Sequence, residues 1–99
     1  MARFDVYKNP DGAGYLLDIQ ADLLSHLNTR VVVPLLSLSA APVPARGLNP
    51  IFRIAGKDVA MVTQFMAAVP TTALRAPVTN LEGQRNDIVA AIDLLMQGF

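Results

Sequence analysis

The side chains that could carry out acid–base or nucleophilic chemistry are few in this chain of 99 residues. The chain has one histidine, His26, one glutamate, Glu82, and no cysteine. An active site needs groups poised for proton transfer or nucleophilic attack, and a lone histidine defines neither a catalytic triad nor a metal site. The sequence therefore predicts no catalytic residue, and it favours a structural or surface role for His26.

Motifs for cofactors and metals are also weak. The run Gly12–Gly14 lacks the Lys-Ser/Thr pair and the following helix of a phosphate-binding loop, so it predicts a hairpin turn. Asp18 and Asp22 are four residues apart, but they span a strand end and a loop, and their chelation of a metal would depend on the geometry of that turn. We expect no cofactor and no metal site.

The composition predicts a folded domain with a protein partner. Apolar residues make up 53% of the chain and charged residues 16%, which is far from the disordered class. A chain of this length fits one domain, residues 1–99, and gains by burying further surface in an oligomer. Because the formal net charge is zero, nothing in the overall charge favours nucleic acid or an anionic membrane.

The sequence also carries expectations about location. The absence of cysteine fits a reducing compartment. The N-terminus has no apolar signal core, and no run approaches the roughly 18 apolar residues of a membrane span. We expect a cytoplasmic protein.

Hydrophobic alternation predicts an antiparallel hairpin at the N-terminus. The segment Ala2–Lys8 places Phe4 and Val6 on one face and Tyr7 on the other, as in a half-buried strand. A loop follows at Asn9–Gly14, and Tyr15–Gln20 alternates as the returning strand.

The middle of the chain predicts one long strand between two irregular segments. Ala21–Thr29 is either a short helical turn with its leucines inward or a loop pinned by them. Arg30–Leu36 is a β-branched run covered on both faces, with a bulge, bend or sheet crossing at Pro34, which cannot donate to a ladder. Ser37–Pro50 is rich in proline and predicts a long loop.

The last third predicts a second hairpin, a short strand and a helix. Ile51–Ile54 and Val59–Gln64 form the hairpin, and Thr71–Arg75 is the last strand. The segment Arg85–Phe99 has helical periodicity with an apolar arc of roughly 200°, whereas packing on a single sheet needs only about 100°. The surplus predicts a second covering surface, most simply another copy of the chain.

Six segments in this order resemble one family. They are FDVY at Phe4–Tyr7, DIQAD at Asp18–Asp22, VVVPL at Val31–Leu35, NPIFRI at Asn49–Ile54, MAAVP at Met66–Pro70 and NDIVAAIDLLMQGF at Asn86–Phe99. In their joint order and spacing they resemble the CcdB family, the toxin half of a bacterial type II toxin–antitoxin pair.

The resemblance implies a fold and a mode of action. The fold is a mostly β, SH3-like antiparallel barrel with a small inserted sheet and one C-terminal helix, as in the CcdB, MazF and Kid proteins. CcdB-like toxins are not enzymes: they bind the DNA gyrase A subunit, trap gyrase with its DNA cleaved, and are neutralised by a CcdA-like antitoxin. They form a homodimer beside the C-terminal helix, which here assigns Ile88, Ile92 and Leu95 to the dimer interface, and no direct binding of nucleic acid by the toxin alone is expected.

The resemblance also assigns the gyrase contact to the last three residues, Gln97, Gly98 and Phe99. The family ends in Trp-Gly-Ile, and its tryptophan stacks on an arginine of gyrase. Here the glycine and an apolar terminus are kept, but the tryptophan is replaced by Gln97, which can hydrogen-bond to an arginine and cannot stack on it in the same way.

That replacement leaves alternatives open: the target surface has changed, Phe99 takes over the aromatic role, or the protein does not poison gyrase. The chain can be a CcdB-like protein that still binds an antitoxin but has lost or changed its toxic target. A third reading, an RNA-cleaving toxin like MazF and Kid, is disfavoured because the chain shows no persuasive acid–base set.

Overall fold

The computed structural model of the protein describes residues 1–98, and Phe99 lies outside the described residues. Within this range the chain forms one antiparallel sheet followed by one α-helix. The strands are β1 Asp5–Lys8, β2 Tyr15–Asp18, β3 Thr29–Ser37, β4 Ile51–Ile54, β5 Lys57–Met61, β6 Ala67–Pro70 and β7 Thr79–Asn80, and the helix is α1 Arg85–Gln97. No helix in residues 1–98 is both long and apolar enough to cross a membrane.

Strand β3 is the centre of the sheet because both of its edges are paired. One edge pairs with β2, and the other pairs with β6 along Thr29–Val32 and with β5 along Leu35–Ser37. Pro34 lies where the second edge changes partner, and its carbonyl oxygen accepts a hydrogen bond of 2.9 Å from the Val62 N–H. Since the nitrogen and carbonyl of one strand residue point to the same side, the missing N–H of Pro34 falls at this change of partner. The sequence left a bulge, a bend and a sheet crossing open at Pro34, and the structure shows a change of pairing partner within one sheet at this residue.

The sheet curls into a nearly closed barrel around one apolar core. The strand order is β4-β5-β3-β2-β1-β7, with β6 branching from β3. The core side chains come from the inner face and from the helix: Phe4, Val6, Leu17, Ile19, Val33, Leu35, Phe52, Ile54, Val59, Met61, Leu81, Ile88 and Ala91. The mostly β barrel with one C-terminal helix is thus confirmed, as are the two predicted hairpins.

The outer face of the sheet is also covered, which the sequence predicted for the run Arg30–Leu36 but not for the first hairpin. Tyr7 is buried in a second cluster with Leu16, Val32 and Leu74, although alternation placed its side chain on the exposed side of a half-buried strand. The reason is the segment 71–78, which crosses this face on the way from β6 to β7 and brings Leu74 over it.

A buried ion pair joins β2 to β3 on the same outer face. The Asp18 and Arg30 side chains are both 0% exposed. Arg30 Nε donates to Asp18 Oδ2 at 2.8 Å, and Nη2 lies 2.7 Å from the same oxygen. Asp18 Oδ1 accepts the Gln20 N–H at 3.0 Å. Burial raises the pKa of the Asp18 carboxyl, against the opposing effect of the Arg30 hydrogen bond and charge.

Two local predictions were wrong. The short helical turn, one of the two alternatives for Ala21–Thr29, is present at Asp22–Leu24, but the inward placement of its leucines was wrong, and Leu23 is 87% exposed. Gln20 holds this turn through the backbone: its Nε2 donates to the Leu24 carbonyl and its Oε1 accepts the Val31 N–H. The predicted strand Thr71–Arg75 instead begins as a 3-10 turn, with the Thr71 N–H donating to the Asn28 carbonyl at 2.9 Å. The last strand is β7.

Replacing Asp18 with leucine should strongly destabilise the protein, because it leaves the Arg30 guanidinium charged, buried and without its carboxylate. Removing one partner of a buried pair costs about 3 to 5 kcal/mol of unfolding free energy. The double variant Asp18→Leu/Arg30→Met should recover most of this loss. Urea unfolding of the wild type, the single variant and the double variant measures the three free energies of unfolding. A loss in the double variant as large as that in the single variant, or larger, would contradict this explanation.

Tyr7 should make the stability depend on alkaline pH. Burial, followed by the charges of Asp5 and Asp18, raises its pKa from 10.0 to about 12. The unfolded chain therefore ionises first, so this contribution to the free energy of unfolding is complete below about pH 10 and is lost as the pH rises to about 12, amounting to about 2.7 kcal/mol. In a Tyr15→Phe variant only Tyr7 absorbs as tyrosinate, and an absorbance midpoint near pH 10 in the folded protein would refute the shift.

Candidate functional site

The C-terminal helix is the element that presents the predicted contact residues. It begins after a 3-10 turn at Glu82–Gln84, where Asn80 Oδ1 accepts the Glu82 N–H at 2.7 Å. Asp87 lies in the first turn, where a negative charge suits the positive end of the helix dipole. The chain leaves the helix at Gly98, whose φ of 82° is left-handed and suits a glycine.

The helix packs on the barrel through its inner side. Ile88 and Ala91 are fully buried in the core, while Val89 and Ile92 pack against it partly exposed. Leu94 lies against Gly47 of the long loop between β3 and β4. The helix is therefore held both by the barrel and by that loop.

Asn49 holds the loop in the position that receives the helix. Its Nδ2 donates to the Met61 carbonyl at 3.0 Å and to Gln64 Oε1 at 2.7 Å, and its Oδ1 accepts the Ala45 N–H at 2.9 Å. The sequence does not reveal this role, because the burial of Asn49 that requires hydrogen-bond partners is visible only in the structure.

A second set of contacts, which the sequence does not reveal, holds the start of the helix. Phe4 is fully buried with a φ of 71°, and the guanidinium carbons of Arg3 and Arg85 lie 4.8 and 5.5 Å from its ring centroid. The Leu81 N–H donates to the Phe4 carbonyl at 2.9 Å. A left-handed phenylalanine has no sequence signature, since this conformation is rare for residues other than glycine.

The outer side of the helix is the exposed apolar surface. Leu95 is 38% exposed and Met96 62% exposed. Of the three residues predicted at a dimer interface, Leu95 is at the surface, Ile92 is partly buried, and Ile88 is enclosed by its own core. Ile88 thus supports this surface from beneath and offers none of its own side chain to a partner in this conformation.

Two of the three predicted gyrase-contact residues, Gln97 and Gly98, lie at the exposed end of the helix. Gln97 is the last helical residue, and both it and Gly98 are exposed. The third residue of this group, Phe99, lies outside the described residues. The structure therefore presents Gln97 and Gly98 together at one exposed end, next to Met96.

The remaining polar candidates do not assemble into a reaction centre. His26 is exposed, Asp18 is paired with Arg30, and Asp22 Oδ1 accepts the Arg3 N–H at 2.8 Å. In the described part of the chain no three His, Cys, Asp or Glu side chains come together as metal ligands. At the end of the C-terminal helix, the exposed groups can contact a partner through the apolar surface and through the Gln97 amide.

Comparison with protein families supplies the identity of the chain. The family model described as CcdB protein matches residues 3–98, which is nearly the whole sequence and includes both the barrel and the helix. CcdB proteins are the gyrase-poisoning toxins of CcdA/CcdB systems and act without catalysing a reaction. By this match the protein belongs to the CcdB family.

Proposed function

We propose that this protein poisons DNA gyrase as a homodimer in the cytoplasm and that a CcdA-like antitoxin releases gyrase from it. The family match over residues 3–98 is the observation that carries the proposal. The protein acts as a single toxin domain that traps gyrase on cleaved DNA. It binds the A subunit of gyrase and makes no contact of its own with nucleic acid when alone, in keeping with its zero net charge.

The contact with gyrase is assigned to Gln97, Gly98 and Phe99. Gln97 and Gly98 are exposed at the end of a helix that is anchored in the core, so binding costs little ordering of the backbone up to this point. The Gln97 amide can donate to or accept from a polar group of gyrase. Gln97 lacks an aromatic face, and the stacking of an aromatic ring on an arginine contributes about 0.5 to 2 kcal/mol to binding. A larger share of the binding energy therefore comes from the residues next to Gln97.

The dimer is assigned to the outer side of the same helix. Leu95 and Met96 expose apolar surface beside the partly buried Ile92, and burying such surface contributes about 25 cal/mol per Å². A second copy related by a twofold axis covers the surface with its own equivalent. Ile88 contributes from below by fixing the position of the helix.

One residue favours a second candidate function. Because Gln97 stands where the family has tryptophan, the chain can be an antitoxin-binding protein that no longer poisons gyrase or has a changed target. This protein would keep the dimer and the antitoxin and lose the trapped gyrase–DNA complex.

Gyrase cleavage assays with three proteins separate these functions. The wild-type protein should inhibit supercoiling and accumulate cleaved DNA, and Gln97→Trp should lower the concentration needed by roughly tenfold, as one restored arginine stack predicts. Gln97→Ala is the matched control, since it removes the amide without adding an aromatic ring.

No trapped complex with wild type would exclude gyrase poisoning and favour the second candidate. An unchanged or weaker effect of Gln97→Trp, with active wild type, would mean that the target surface is not the one that stacks on tryptophan.

The variant Leu95→Glu should weaken the dimer, because it places a charge in the apolar surface that a second copy covers. Sedimentation equilibrium should show a shift of at least roughly tenfold in the dimer dissociation constant. Leu23→Glu changes the same residue type at the exposed turn between β2 and β3, which is not assigned to the interface, and should leave the constant unchanged. A Leu95→Glu protein as dimeric as wild type would refute this assignment.

A further inference from the structure

The four methionine side chains of the chain differ in how far they are exposed to solvent. Met61 is fully buried in the core, and Met66 packs against that core partly buried. Met1 is half-exposed, whereas Met96 is 62% exposed. Because the chain has no cysteine, the thioethers are its only sulfur groups, and Met96 is the methionine that solvent reaches best.

Met96 lies on the apolar outer side of the C-terminal helix. It is one helical turn beyond Ile92 and next to Leu95, which is also exposed. Gln97 and Gly98 follow it at the exposed end of the helix. A chemical change at this thioether therefore alters the surface assigned to the dimer, beside the residues assigned to gyrase.

Hydrogen peroxide oxidises a methionine thioether in one two-electron step. One oxygen atom of the peroxide is transferred to the sulfur, which becomes a sulfoxide, and the peroxide is reduced to water. The side chain changes from apolar and flexible to polar and chiral, and reductases convert it back. The new oxygen needs a hydrogen-bond donor, which the side chains of Ile92 and Leu95 do not have. Burying the sulfoxide in an apolar contact therefore costs free energy.

We propose that Met96 is a site of reversible oxidation and that its sulfoxide prevents the protomer from returning to the dimer. The separated protomer exposes the surface that a second copy covers, so peroxide reaches Met96 in that state. The sulfoxide is then hydrated, and the oxidised protomer accumulates. This inference rests on the dimer proposed above. Since the proposed poison is the homodimer, peroxide inactivates the toxin and the reductases restore it.

Peptide mass mapping after brief treatment of the full chain with hydrogen peroxide tests the site. Trypsin releases residues 86–99, in which Met96 is the one methionine, separately from residues 58–75, which contain Met61 and Met66. The first peptide should gain one oxygen at least roughly tenfold faster than the second, because susceptibility follows exposure. Equal rates for the two peptides would overturn the proposal.

The same mapping at two protein concentrations tests where oxidation occurs. Met96 should be oxidised faster in dilute protein, in which protomers separate, than in concentrated protein, in which a second copy covers it. A rate that does not change with protein concentration across the dimer dissociation constant would overturn the proposed order of dissociation and oxidation.

Sedimentation equilibrium measures the consequence for the dimer. Oxidation of the wild type should raise the dimer dissociation constant at least roughly tenfold, and the two methionine sulfoxide reductases should restore it. Met96→Leu is the matched control, because it keeps an apolar side chain of similar volume without a thioether, and peroxide should leave its constant unchanged. This variant retains Met1, so an equal loss after its oxidation would assign the effect to another residue and overturn the proposal.

Leu95→Glu tests the underlying dimer without any oxidant. A dimer that Leu95→Glu weakens and Met96 oxidation leaves unchanged would refute this inference alone. If neither change weakens the dimer, the assigned interface and the oxidation site both fail. Trapping of gyrase by untreated protein is measured separately from either result.

Discussion

The arrangement of the strands depends on β3 and on the ion pair that joins it to β2. Every residue of β3 faces a neighbour on at least one edge, and Pro34 stands where its second edge passes from β6 to β5. Arg30 is fully buried and needs Asp18, because a buried charge without a partner would cost several kcal/mol. The pair therefore ties β3 to β2 at one relative position, and the same outer face carries the cluster around Tyr7.

The barrel anchors the C-terminal helix, which makes the helix a rigid support for the proposed contact surface. Ile88 and Ala91 anchor the helix in the core, Leu94 rests on the long loop at Gly47, and Leu95 and Met96 remain outside. The helix ends at Gln97, so this residue is held by helical backbone on its N-terminal side. In a family that acts by binding, such preorganisation is where the scaffold contributes to function.

The parts of the fold that follow from local patterns could be read from the sequence. Alternation and turn residues predicted both hairpins, and the helical period predicted α1 with a buried and an exposed apolar side. Local patterns did not reveal three other features, because each depends on a contact distant in sequence or on a side-chain hydrogen bond. A distant segment covers Tyr7, hydrogen bonds from Gln20 hold the turn of Leu23, and the Asn28 carbonyl fixes Thr71 at the start of the segment 71–73. The candidate site is divided likewise: the proposal of Gln97 and Gly98 follows from the resemblance, whereas the positions of Phe4 and Asn49 depend on tertiary contacts.

The central claim is that this chain poisons gyrase although Gln97 replaces the tryptophan of its family. The most direct measurement is the amount of gyrase A subunit covalently linked to chromosomal DNA in bacterial cells that express the protein without its antitoxin. If the chain poisons gyrase, linked gyrase should accumulate after induction and disappear when a CcdA-like antitoxin is co-expressed. Growth arrest with no gyrase linked to DNA, or no arrest from a folded protein, would contradict it.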